Sequence, residues 1–256
     1  MTTTDPRRTA AAQSIDAPGT PEARWAAWAA LAALPAVSLP PGPVVVVSAH
    51  PDDEVLGVGG TLAGLAASGA EVHLVTATDG EGSHPGSVHL TPRALAARRS
   101  EELDRALDAL GLDLGRVHRA GIPDTAVAAH EDRLTDVLSA LLRTTGAALC
   151  LAPWDGDLHA DHEAAGRAAT RAARRTGTRC AHYPVWLWHW AVPDDPRVPW
   201  ASAARLPLDA GALERKRRAL EHFVTQTAPL GPGEDTVILP PEELAHHIRP
   251  FEVIFS

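Results

Sequence analysis

The sequence predicts an α/β fold: a Rossmann-like three-layer sandwich with a mainly parallel sheet and a C-terminal extension. Three observations predict it. Residues 44–47 are four consecutive valines, the mark of a strand buried on both faces. A helical pattern follows at residues 54–68, with Leu56, Gly60, Leu62, Ala63, Leu65 and Ala66 on one face. The alternation then recurs, with strands at 70–78 and 147–152 and helices at 91–110, 132–144 and 163–175.

The remaining elements follow in order. Residues 1–20 are rich in Thr, Ala, Pro, Asp and Arg, lack an apolar period and read as a disordered tail. Residues 21–256 then form a single domain. Residues 21–34 read as a helix, with Pro21 in its first turn and Trp25, Trp28, Leu31 and Ala32 on its core face. Gly69 ends the first long helix, Thr91 caps the next, and Gly111 stops it. Residues 179–190 read as a strand on which Trp186, Trp188 and Trp190 share a face, as core or as the wall of a cleft. Residues 213–225 form a basic helix. Residues 236–239 and 251–255 close the chain as strands, and His246 and His247 are expected at the surface.

Composition excludes several classes. The chain has 256 residues and a formal net charge of −9, which argues against a nucleic-acid binder. Two cysteines, Cys150 and Cys180, are too few for a disulfide framework. No stretch approaches the roughly 20 apolar residues of a membrane span, and the N-terminus lacks a basic-then-apolar signal pattern. A cytoplasmic location is expected.

The valine run ends at Ser48-Ala49, and His50-Pro51-Asp52-Asp53-Glu54 follows. An imidazole and two carboxylates therefore stand at the C-terminal edge of a central strand, where α/β sheets bind ligands. His50 and Asp53 are three apart across a tight turn, so both can reach one metal ion. Asp52 can face the other way, towards a metal-bound water, as a general base. The alternative for either Asp alone is a plain helix N-cap. A zinc site needs a third ligand, and a second strand-to-helix junction offers His159, Asp161 and His162. The loop 79–87 lies on the same sheet edge, and its Glu81, with Ser83 and His84, is placed for substrate contact.

Together, His50-Pro51-Asp52-Asp53-Glu54 and His159-Ala160-Asp161-His162 resemble the PIG-L (LmbE-like) family of zinc-dependent de-N-acetylases. The resemblance extends from about Val44 to the 216–226 region. It implies that His50, Asp53 and His162 bind one zinc ion per chain. Asp52 becomes the general base, and a protonated His159 stabilises the oxyanion. Asp161 orients a neighbouring histidine from behind. Arg99, in Arg99-Ser-Glu-Glu-Leu103, matches a recurrent family arginine and becomes a substrate contact, with Arg98 as the alternative. Residues 117–124 resemble a short strand and loop that bring Asp124 towards the site. Lys216, His222 and Gln226 match a C-terminal helix pattern, and Lys216 reads equally well as structural.

The implied reaction is hydrolysis of the N-acetyl group of an N-acetylglucosamine-type amino sugar or its conjugate. The implied partner is thus a small amino-sugar conjugate, with no nucleic acid. Two readings stand beside it: an amidase for larger acyl groups, and a non-catalytic sugar-binding module.

Overall fold

The computed structural model describes residues 17–256. Its strands are β1 (Val44–Ser48), β2 (Val72–Thr76), β3 (Val117–Arg119), β4 (Leu149–Pro153), β5 (Arg179–Tyr183), β6 (Ala203–Pro207) and β7 (Phe251–Phe255). They form one sheet in the order β3-β2-β1-β4-β5-β7-β6. Pairing from β3 through β5 is parallel. β7 runs antiparallel between β5 and β6, so the C-terminal extension widens the sheet. The long helices are α1 (Asp53–Ala67), α2 (Pro92–Leu110), α3 (Glu131–Thr145), α4 (Ala160–Thr176) and α5 (Ala210–Leu220).

The valine run explains the layering. Val44 and Val46 pack with Leu62 of α1, Leu103 of α2 and Ala219 of α5. Val45 and Val47 point the other way, to Leu134 and Leu138 of α3 and Ala165 and Ala168 of α4. All four valines are fully buried. Each such side chain contributes about 1.5–3 kcal/mol, which holds β1 at the centre of a sheet covered on both faces. The strand order reverses between β1 and β4, so a crevice opens beyond their carboxyl ends. The two chemistry-bearing segments leave the sheet at this crevice.

Helix α1 breaks at Val58, whose φ of −138° and ψ of 18° are non-helical. The break frees backbone groups, and distant side chains satisfy them. Glu252 accepts from Gly60 N at 2.7 Å and Thr61 N at 2.8 Å. Lys216 Nζ donates to Leu56 O and to Glu252, both at 2.7 Å. Lys216 is thus a structural buried cation, and it does not line the crevice. The kink is thus covered by side chains that partner Gly60 N, Thr61 N and Leu56 O.

Several expectations change. The predicted tail, residues 1–20, lies largely outside the described residues. Residues 17–20 are docked: Thr20 is buried, and its hydroxyl donates to Ala191 O at 2.6 Å. The first helix divides at Trp28 into Glu22–Ala27 and Ala29–Ala32. The basic helix is Ala210–Leu220, earlier than expected. β6 was not anticipated.

The strand over 179–190 stops at Tyr183, and Leu187–Trp190 is one helical turn. Pro184 lacks a ladder donor, and the Asp157 carboxylate draws the next three N–H groups away. Trp186, Trp188 and Trp190 therefore do not share a strand face. Residues 236–239 are not a strand: they cross the crevice, held by Leu239 N to Gln226 O at 2.8 Å. His246 and His247 are buried, not superficial. Among the described residues, no helix is long and apolar enough to cross a membrane.

Candidate active site

The turn after β1 is built by its own aspartate. Asp53 Oδ2 accepts from Ala49 N and His50 N, each at 2.9 Å, which turns Oδ1 outward. Asp53 Oδ1 lies 3.2 Å from His162 Nε2, and His50 Nδ1 lies 3.2 Å from the same nitrogen. His50 Nδ1 is 3.6 Å from Asp53 Oδ2. Helix α4 starts at Ala160, so Asp161 and His162 stand in its first turn rather than in a loop.

Each imidazole is backed by a carboxylate. Asp157 Oδ2 accepts from His162 Nδ1 at 2.8 Å. Asp124 Oδ1 lies 3.2 Å from His50 Nε2. Such carboxylates fix the tautomer and aim of metal-binding histidines. Asp161 carries less of this role than expected. Its oxygens accept from Thr125 N at 2.8 Å and Val127 N at 3.1 Å, and it stands 3.5 Å from His50 Nε2. It anchors the loop that presents Asp124.

These donors fit a tetrahedral metal. Ligand atoms about 2.0–2.1 Å from a tetrahedral centre lie roughly 3.3–3.4 Å apart, close to the 3.2 Å at which His162 Nε2 stands from both His50 Nδ1 and Asp53 Oδ1. His50, His159 and His162 also bring ring nitrogens within 4.8 Å of one another, as do donor atoms of His50, Asp124 and Asp161. The latter carboxylates are already engaged by backbone N–H groups, with Asp124 accepting from Gly82 and Thr125. Asp53 Oδ1 is spared such bonds. The three histidines and Asp53 Oδ1 thus stand together as donors that no backbone N–H group holds.

The electrostatics agree with a place for positive charge. Burial lowers the pKa of His162, but Asp53 and Asp157 outweigh it and raise the ring to about 9. His50 is likewise raised despite burial, by Asp124, Asp161 and Asp53. His159 behaves oppositely: burial and the neighbouring His162 and His50 hold it well below the usual histidine range. Its ring centroid is 4.4 Å from that of His162, and its Nδ1 is buried without a partner.

Asp52 pairs with Arg99. Burial lifts its carboxyl to about 6, against the lowering effect of Arg99. Arg99 is buried and donates to Asp52 Oδ2 at 2.9 Å, Gly80 O at 3.0 Å and Pro51 O at 3.1 Å. No described residue hydrogen-bonds Asp52 Oδ1. Gly80 has φ +67°, and a Cβ there would meet the Arg99 guanidinium at 2.2 Å. The glycine thus makes room for the clamp.

His50, Asp52, Asp53, Arg99, Asp124, His159 and His162 all open on a cavity of about 660 Å³. Gln226 and Ser83 line it too, whereas Glu81, His84, Lys216 and His222 do not. Glu81 instead accepts from Asp124 N at 2.9 Å and holds that loop. His84 turns to Ser83, with its Nδ1 3.0 Å from the hydroxyl.

Comparison with known proteins places this geometry in a family. Residues 45–173, about half the chain, match the PIG-L model, described as GlcNAc-PI de-N-acetylase. The chain belongs to the PIG-L family. A curated PIG-L relative, the 1D-myo-inositol 2-acetamido-2-deoxy-alpha-D-glucopyranoside deacetylase of Rhodococcus opacus, is 35% identical over 67% of this chain and 63% of its own length. The like-named protein of Streptomyces avermitilis is 37% identical over 53% of this chain and 54% of its own. This chain thus spans less than two thirds of either relative. Among solved structures, A40926 pseudoaglycone deacetylase superposes with a TM-score of 0.65 at 22% identity, over 83% of this chain and 96% of that one. That likeness is one of fold.

Proposed function

We propose that the chain is a zinc-dependent hydrolase that removes the N-acetyl group from an N-acetylglucosamine-type amino sugar or its conjugate. One observation carries the reading. Two imidazoles and a carboxylate converge at metal-ligand spacing, beside a separate carboxylate, Asp52, in one cavity. Family membership and the names of the relatives support the substrate class.

His50, Asp53 and His162 would hold one zinc ion per chain. Bound there, zinc supplies Lewis acidity to the acetamide carbonyl and lowers the pKa of water to near neutrality. Asp52 takes a proton from the attacking water through Oδ1, since Arg99 holds Oδ2 in place. A base tuned near neutrality suits this task. The proton then passes to the departing amine nitrogen. His159 donates a hydrogen bond to the carbonyl oxygen as negative charge develops on it. Asp124 and Asp157 keep His50 and His162 aimed. The products are acetate and a free amine.

Release of free amine from N-acetylglucosamine and its glycosides tests the reading. It should stop after chelation and return when zinc is restored. Release that persists through exhaustive chelation contradicts the metal-dependent mechanism, and release of no amine from any N-acetyl compound contradicts the activity.

A further inference from the structure

The chain has two cysteines, and the fold makes them neighbours. Cys150 on β4 and Cys180 on β5 are direct partners in the parallel register. Both belong to the sheet face that packs on α3 and α4. Directly paired positions lie about 4.7–4.9 Å apart, inside the span of about 4.4–6.8 Å that a disulfide bridges between Cα atoms. Both thiols are free, and their surroundings differ. Cys150 is fully buried, whereas Cys180 is partly exposed. Neither lines the cavity that holds the candidate metal cluster.

An imidazole stands beside the accessible thiol. His182 is two residues further along β5, so it shares a face with Cys180. Its Nε2 lies 3.8 Å from Cys180 Sγ and 3.0 Å from Thr170 Oγ1 of α4. Burial opposes charge on this ring, but Cys180 and the Asp155 carboxylate outweigh it and raise its pKa. Cys150 and His182 draw the Cys180 thiol towards the thiolate, while Cys180 and burial hold Cys150 protonated. A thiolate beside an imidazolium is the reactive form of cysteine. The strand also has room to shift. Among the described residues, the far edge of β5 pairs only at His182, with Phe255 of β7. The Cys180 end therefore pairs with β4 alone.

We propose that Cys150 and Cys180 are a reversible disulfide site, in which hydrogen peroxide oxidises Cys180 and Cys150 resolves the product. The Cys180 sulfur attacks one peroxide oxygen, and the O–O bond breaks. Cys180 becomes a sulfenic acid, and the departing hydroxide takes the proton from His182 and leaves as water. The Cys150 sulfur then attacks the Cys180 sulfur. An S–S bond forms, the S–O bond breaks, and the hydroxyl leaves as a second water with the Cys150 proton. The peroxide is reduced and the two thiols are oxidised. The bond so formed is labile. Paired parallel side chains stay about one strand spacing apart, beyond the mean Cβ separation of about 3.8 Å in a disulfide. Closing the bond draws the strands together, and strained disulfides are the readily reduced ones.

The test treats the zinc-loaded protein with hydrogen peroxide at neutral pH, alkylates the remaining thiols after unfolding, and maps the peptides by mass. Both thiols should disappear together, as one link within a chain that dithiothreitol reverses. In Cys150→Ala, dimedone should label Cys180 about tenfold more than in the unmodified protein, because the sulfenic acid lacks its resolving partner. In Cys180→Ala, the buried Cys150 should stay reduced. His182→Gln should slow thiol loss about tenfold at neutral pH. That gap should close at alkaline pH, where the thiol ionises unaided, a change that a merely structural role for His182 would not produce. Three results overturn the proposal: a link between two chains, over-oxidation of Cys180 with Cys150 left free, or thiols that resist peroxide until the protein is unfolded.

Discussion

Asp157 Oδ2 lies 2.8 Å from His162 Nδ1, and the Asp157 carboxylate also receives the backbone N–H groups of Val185, Trp186 and Leu187. A single fully buried side chain thus ties a candidate metal ligand after β4 to the segment that leaves β5. The histidine's direction and the course of one cavity wall are set together.

Replacing Asp157 should therefore act on metal binding first. Loss of the carboxylate behind a ligating histidine typically weakens metal about 10–100-fold. Asp157→Asn keeps the size but offers one acceptor oxygen in place of two. Zinc affinity, read by competition with a chromophoric chelator, should fall within that range. Unchanged affinity would show that His162 is aimed without Asp157.

Arg99 gives a second expectation. Its guanidinium closes the turn after β1 against the loop after β2 while fixing Asp52. Breaking a buried ion pair by removing one partner costs about 3–5 kcal/mol. Arg99→Met should lower stability to urea by that order and depress kcat. Gly80→Ala should reproduce part of the defect, because the new Cβ would occupy the guanidinium's space. A fully active Gly80→Ala protein would argue against the clamp.

The N-terminal segment predicts a pH effect away from the site. Glu22 pairs with His246 Nδ1 and Arg249 Nε, each at 2.8 Å. Burial opposes its charge, but His246 and Arg249 prevail and hold its pKa below 4.5. A carboxyl depressed on folding contributes stability above its unfolded pKa, and that contribution is lost as pH falls through the folded value. Glu22→Gln should thus lower Tm at neutral pH, by about 2–4 °C for each kcal/mol lost. The gap to the unmodified protein should narrow below about pH 4.5. A gap that stays constant or widens on acidification would contradict the assignment.

What the sequence reveals depends on how local the cause is. β1 is legible because four valines in a row suit a buried central strand. The cluster at its end is legible because His50, Asp52 and Asp53 are neighbours in the chain. Asp157 was not legible as a partner of His162, because its other contacts lie 28–30 residues away. The available signal was an aspartate five residues before His162, at the end of a strand. β6 has no clear period-two pattern and becomes a strand only by pairing with β7. His246 looks superficial in sequence, yet its partner Glu22 lies 224 residues away. Glu81 and His84 carry suitable chemistry for substrate contact, but bonds to Asp124, 43 residues away, and to the adjacent Ser83 turn them aside.

The proposed mechanism separates two neighbouring aspartates: Asp53 helps hold the metal and Asp52 moves the proton. Zinc content and acetate release should therefore be measured together on Asp52→Asn. The variant should keep about one zinc per chain, as a mononuclear site requires, with release reduced about 10²–10⁴-fold, the scale of general-base catalysis. Release near the unmodified rate, or loss of the zinc with the activity, would contradict it.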